Sequence, residues 1–245
     1  MRARSLPWLV AAIIFVGTAG TGAAQDLGGY YGGMAMGGLV TNQTNITQSA
    51  IGTRGEQDAA EAAQPSEAET APPLRYTPSL ARRRSNLAGF VARLRAGDPQ
   101  GATALEQAAA SGDLIESIGA DLARYGLRID DVADAYSVWW VNAWLGWAGD
   151  TSDQTRAQMA AVRAQAARAV AATPSFANAD EAARQEFAES LLVQAALIGA
   201  ATKQIETDPA MKPQLRQAMA QAGQGMGLDF AAMRLTSSGF RAVGE

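Results

Sequence analysis

One stretch limits the fold more than any other. Residues Asp131–Trp147 read DVADAYSVWWVNAWLGW. At 100° per residue, Tyr136, Trp139, Trp140, Ala143, Trp144 and Trp147 sweep roughly 140° of a helix. Val138, Val141 and Leu145 fall on the other side. A helix that is apolar all round is stable in water only when other elements cover it. Four of the five Trp of the chain lie here. Each ring can withdraw ~150–250 Å² from water, which is several kcal/mol at ~25 cal/mol per Å² before entropy is subtracted. The pattern predicts a central helix with others packed around it. Trp and Tyr also build sugar and peptide grooves, because each ring offers a flat apolar face and a polar edge. Tyr136, Trp139, Trp140, Asn142, Trp144 and Trp147, with Asp134, are therefore either structural core or a ligand groove. A buried carboxylate is costly unless paired, so Asp134 is expected to have an Arg or backbone N–H partner. Arg124 and Arg128 are the nearest candidates along the chain.

The rest of residues 77–245 follows the same helical period. Thr77-Pro78 suits an N-cap with Pro at the first helical position, opening an Arg-rich helix over 78–96 with a stripe of Leu80, Leu87, Val91 and Leu94. A short helix follows around 102–110. Asp113 opens a third helix, which ends at Gly126. Asp130 caps the Trp helix. Thr151 and Gln154 have capping-box spacing for a fifth. A sixth starts near Asn178 and runs to about Glu206. Asp208-Pro209 starts a seventh, fraying in Gly223, Gly225 and Gly227, and the tail from Leu228 reads as extended. The expectation is an all-α, single multi-helix domain of about six to seven helices around the Trp-rich helix. Of 245 residues 54 are Ala, so large apolar side chains are few; a helical core can be built from these, a large sheet hardly.

The N-terminus is of another kind. Arg2 and Arg4 precede an apolar run through Trp8 to Val16, which decays into small residues ending at Ala24. That is the layout of a secretory signal over 1–24, cleaved near Ala24, and it places the protein in the periplasm or outside the cell. The strongly apolar part is about half of the ~20 residues a membrane span needs, so no transmembrane span is expected after cleavage. Residues 25–76 read as a disordered tether, first Gly-rich, then acidic and interrupted by Pro65, Pro72 and Pro73. The Ala/Arg/Gly bias fits a GC-rich bacterial genome.

Several chemistries are excluded outright. The chain has neither Cys nor His. It can form no disulfide, thiol nucleophile, imidazole base or usual zinc site, and no cofactor or metal is expected. The chain is net −4; without Arg2 and Arg4 it has 18 basic against 24 acidic residues, net −6. That argues against nucleic acid as a partner.

Two candidate sites remain. Between Glu69 and Asp98 there are six Arg and no acid. Arg82, Arg83, Arg84, Arg93 and Arg95 form either a dock for an anionic partner, including peripheral contact with a membrane surface, or a solvated face paired to the protein's own carboxylates. Paired carboxylates are the other option, since a glycan hydrolase needs two acids at a set separation. Glu106, Asp113, Glu116, Asp121, Asp130, Asp131, Asp134, Glu186 and Glu189 are available; Glu116, on an apolar helix, suits the role superficially, and Glu189, lying among Phe187, Leu191 and Leu192, reads more readily as a structural partner.

The segments Leu74–Arg83, Asp131–Trp144 and Leu192–Ala196 together resemble a family of exported bacterial proteins known only as a domain of unknown function. The likeness covers about residues 74–240, and the Tyr/Trp/Trp/Asn/Trp helix is its most specific part. It implies export and carries no activity or catalytic residue. The expected function is a non-enzymatic module that contacts an unidentified protein or envelope component. A carboxylate-dependent cell-wall glycan hydrolase and an anionic membrane-surface binder are the alternatives.

Overall fold

The computed structural model describes residues 74–244 except 174, 175 and 177. The signal expected at 1–24 and the tether up to residue 73 lie outside these. Among the described residues seven α-helices follow in order: α1 (Leu80–Gly97), α2 (Pro99–Ser111), α3 (Leu114–Leu122), α4 (Val132–Ala148), α5 (Arg156–Ala171), α6 (Glu181–Gln204) and α7 (Lys212–Gly225). An antiparallel hairpin, β1 (Met233–Thr236) and β2 (Gly239–Ala242), closes the chain. The expected all-α domain stands, and the extended tail is this hairpin.

The helix starts follow from caps, several of them displaced from the expected residue. Ser79, not Thr77, caps α1, accepting from the Arg82 backbone N–H at 3.3 Å. Thr77 instead bonds to Glu181 through its backbone N–H and its hydroxyl. Asp131, not Asp130, caps α4, accepting from the N–H groups of Ala133 and Asp134. The capping box of α5 lies four residues beyond the expected one, at Thr155 and Gln158. Asp180 caps α6. Asp208-Pro209 opens one 3₁₀ turn before α7. Each of these caps satisfies backbone donors that a helix start leaves open.

The core is one cluster, and α4 is its axis. α6 lies along α4, with α5 and α7 on its other flanks, while α1 packs on α2 and α6. Trp139 and Trp140 are 0 % exposed, as a helix apolar all round requires. Close approach of α4, α6 and α7 depends on Gly146, where a Cβ would come within 3.1 Å of both Met219 and Thr202. One member of the expected α1 stripe is misplaced. Leu80 is 57 % exposed, and Phe90 takes part in the core with Val91 and Leu94. With the helix starting at Leu80 its first residue precedes the packed face.

Two long-range staples fix the ends. Leu74–Tyr76 run beside the entry to α4, through Tyr76 N–H to Asp130 O at 3.2 Å and Val132 N–H to Leu74 O at 2.9 Å. The Tyr76 hydroxyl adds a bond to Ile129 O at 2.6 Å. At the other end Gln165 of α5 clamps β2, donating to Phe240 O at 2.8 Å and accepting from Phe240 N–H at 2.9 Å. Gly239 at φ 93° makes that approach, since a Cβ there would lie 2.5 Å from the Gln165 Oε1.

Candidate functional site

The aromatic side of α4 is filled. Tyr136 stacks on Trp140 at 5.8 Å between centroids, and Trp140 stacks on Phe240 of the hairpin at 4.7 Å. Trp144 meets the same Phe240 edge-on and donates from Nε1 to Met233 O. The Trp139 Nε1 donates to the Gln194 Oε1 on α6 at 3.2 Å. Burial alone drives the Tyr136 phenol well above its usual pKa. Trp144 and Trp147 are half-buried, and Trp147 is covered by the Arg216 guanidinium at 4.2 Å. Of the two readings, core holds for Tyr136, Trp139 and Trp140, which are buried.

The acids at the start of α4 are held in ion pairs. Asp134 accepts from the Arg128 backbone N–H at 2.8 Å and from the Arg163 Nε at 2.6 Å. Of the expected partners, Arg128 contributes its backbone and Arg124 does not reach; it lies over the Tyr125 ring. Arg163 of α5 also reaches Asp131. Burial raises the Asp134 carboxyl pKa more than Arg163 lowers it. Asp130 behaves in the opposite way. Bonds from Arg128 and Arg75 hold it at about 2.

The Arg helix is divided. Arg83, expected on a docking face, is buried and sits among Glu189, Asp113 and Glu116, at 3.1, 2.6 and 2.9 Å. Burial disfavours its charge, but the bonds to Glu116, Asp113 and Glu189 outweigh that and hold the pKa above the usual Arg value. Arg82 bonds to Gln185 at 3.0 Å and Arg95 to Glu106 at 2.5 Å. Arg84 and Arg93 are exposed. The structure thus brings Glu116 and Glu189, each weighed above as a carboxylate for hydrolysis, onto one guanidinium. Asn86 and Gln185 saturate Glu189 further. A cavity of about 10 Å³ beside Arg83 and Glu189 has room for no more than a water.

The open space lies elsewhere. A groove of about 200 Å³ runs between α3, α4, α6 and the loop after α4. Its floor is apolar: Ile118 and Leu122 of α3, Val138, Val141 and Leu145 of α4, and Leu192 and Ala195 of α6. Ala196, Gly199 and Ala200 leave the α6 wall low, while Asp121, Tyr125, Asp150, Asp153 and Lys203 stand at the rim. Burial raises the pKa of the Asp121 carboxyl, partly offset by Arg124. Burial also raises the Tyr125 phenol, against Arg124, with Asp153 and Asp121 adding to the rise. Asn142, one of the two polar residues singled out in the Trp helix, belongs here rather than to the aromatic cluster. Its Nδ2 donates to Val138 O in its own helix, and its Oδ1 faces Gly199. The aromatic residues of the Trp helix do not mark this groove. The available signal was the reverse: small residues at 195, 196, 199 and 200 on a helix otherwise rich in Leu.

The chain belongs to a family of unknown function, DUF6683, which it matches over residues 5–242. The match extends well before residue 74, so the likeness expected over 74–240 was drawn too short. No curated protein and no solved structure matches the chain.

Proposed function

We propose that this family member is a non-enzymatic binding module of the exported compartment, periplasmic or secreted. It engages an envelope component by receiving an apolar group in the groove between α3, α4 and α6. The observation that carries this reading is the groove itself, about 200 Å³ with an apolar floor and a charged rim. Concave apolar surface with a few polar groups at its edge is the usual form of a ligand site. The acids best placed for catalysis are tied to Arg83 or Arg163, which supports binding over hydrolysis. Export rests on the basic and apolar segment of 1–24.

The test uses N-phenyl-1-naphthylamine, a neutral probe that fluoresces in apolar surroundings. The full chain is expected to enhance its emission saturably. Ala196→Phe, which fills the groove from α6, is expected to abolish the enhancement. Equal enhancement by both forms contradicts the reading. Release of soluble fragments from peptidoglycan, lost in Glu116→Gln or Glu189→Gln, would replace it with the hydrolase. After expression in a bacterium, a periplasmic product beginning near Gln25 is the result expected for export.

A further inference from the structure

The charges around the groove balance. Asp121, Asp150 and Asp153 stand at its rim with Lys203, and Lys203 is bonded to Glu206 at 2.7 Å. Arg124 lies over the Tyr125 ring at 4.7 Å. Arg156 packs against Gly126, the neighbour of Tyr125, and Lys212 against Gly149, the neighbour of Asp150. Acids and bases are thus matched around the mouth, which selects no sign of charge. What recognises an occupant is the floor of Val138, Val141, Leu145 and Leu192, and the fitting occupant is apolar and uncharged.

The chain itself carries such a segment. Residues 27–53 hold no charged side chain, and Leu27, Tyr30, Tyr31, Met34, Met36 and Leu39 fall within the first half of that stretch. Its neighbours do not qualify. Residues 1–24 read as a signal that leaves on export, and residues 55–73 carry Glu56, Asp58, Glu61, Glu67 and Glu69 with no large apolar side chain. The family match begins at residue 5, so it takes in the Tyr/Met strip together with the groove.

Reach and size agree. Leu74, where the described chain starts, accepts through its carbonyl from the Val132 N–H at the head of α4 at 2.9 Å. The floor follows the same helix from Val138 to Leu145, so its far end lies ~20 Å from that point at ~1.5 Å per residue. Residues 37–73, at up to ~3.3 Å each, span about six times that distance. A cavity of about 150 Å³ holds benzene, so about 200 Å³ takes one or two of the Tyr and Met side chains. Met adapts to an irregular wall, and Tyr brings a flat ring whose hydroxyl stays in water at the mouth. So small a contact is weak alone, but a tether holds its segment at an effective concentration up to the millimolar range. The result is a cover that a ligand displaces.

We propose that the strip Tyr30–Met36 covers the groove of its own chain and is displaced when an apolar ligand enters. This rests on the groove being the binding surface, as proposed above, and adds what controls access to it.

The first test is the affinity of the full chain for N-phenyl-1-naphthylamine. Tyr30→Ser, Tyr31→Ser, Met34→Ser and Met36→Ser together are expected to tighten binding about tenfold, the factor for a site otherwise open about one tenth of the time. Equal affinity in the two forms overturns the inference and leaves the groove standing. No binding by either form removes the groove reading itself. The second test uses the absence of Cys from the chain. Under mild oxidation, Met36→Cys with Ala196→Cys is expected to close a disulfide within one molecule at least about tenfold faster than Met36→Cys with Ala81→Cys. Ala81 is exposed on α1 and closer to the strip along the sequence. Equal or slower closure at Ala196 overturns the inference, and so does a link formed between two molecules.

Discussion

The two faces of α4 are built from the same backbone and end differently. On one, Tyr136, Trp139 and Trp140 meet Phe240 and Gln194 and are buried. On the other, Val138, Val141 and Leu145 meet a run of Ala and Gly on α6 and leave a groove of about 200 Å³. Aromatic rings fill volume and find one another, so the side richest in rings becomes the most solid part of the core. Small residues facing branched ones cannot close the gap. The most distinctive residues of this chain hold it together, while its small ones shape the groove.

The largest expected break in this contrast is Trp140→Ala. It removes a fully buried ring stacked on both Tyr136 and Phe240, and urea titration is expected to show a loss of ~3–5 kcal/mol. Leu145→Ala on the groove side is expected to cost about 2 kcal/mol, the low end for such a truncation, because the site already borders open space. Equal costs for the two would mean that the faces do not differ in packing. Next comes Asp130, at the entry shared by both faces. Its folded pKa of about 2 lies below the ordinary value, so its pairing stabilises above about pH 4 and is lost as pH falls through about 2. Asp130→Asn is expected to lose about 1–2 kcal/mol at pH 7, after discount for the exposed Arg75 and Arg128, with a flatter acid limb in denaturation run from pH 5 to 2. Asp134 works in the opposite sense. Its raised pKa makes its charge a cost at neutral pH, relieved on protonation. The smallest effect is expected for Ala196→Phe. Overpacking a closed core costs ~1–3 kcal/mol, whereas filling the open groove is expected to cost under about 1 kcal/mol by the same measurement and to remove probe binding.

Much of the architecture was legible because it rests on local rules. Gly126 and Gly149, both at positive φ, end their segments as glycine does in a C-cap. The displaced caps show the limit of such rules. Thr151/Gln154 and Thr155/Gln158 carry the same spacing, and only the second pair begins a helix. Nothing local separates them, since Thr151 lies at the groove mouth, in the loop that carries the chain from α4 to α5. Arg83 was equally opaque. It is one of three consecutive arginines, and its partners come from α3 and from Glu189, more than a hundred residues away.

The periodicity of Asp131–Trp147 was sufficient to require a covered helix at the centre of an α-helical domain, since water does not tolerate an apolar cylinder. The missing Cys and His likewise removed whole classes of chemistry without reference to any fold. Which carboxylates become occupied by arginine, and where the packing leaves a hollow, were decided only in three dimensions. Both depend on what α6 and the hairpin bring to α4 from distant sequence, and side-chain volume and charge balance only once those surfaces are placed together.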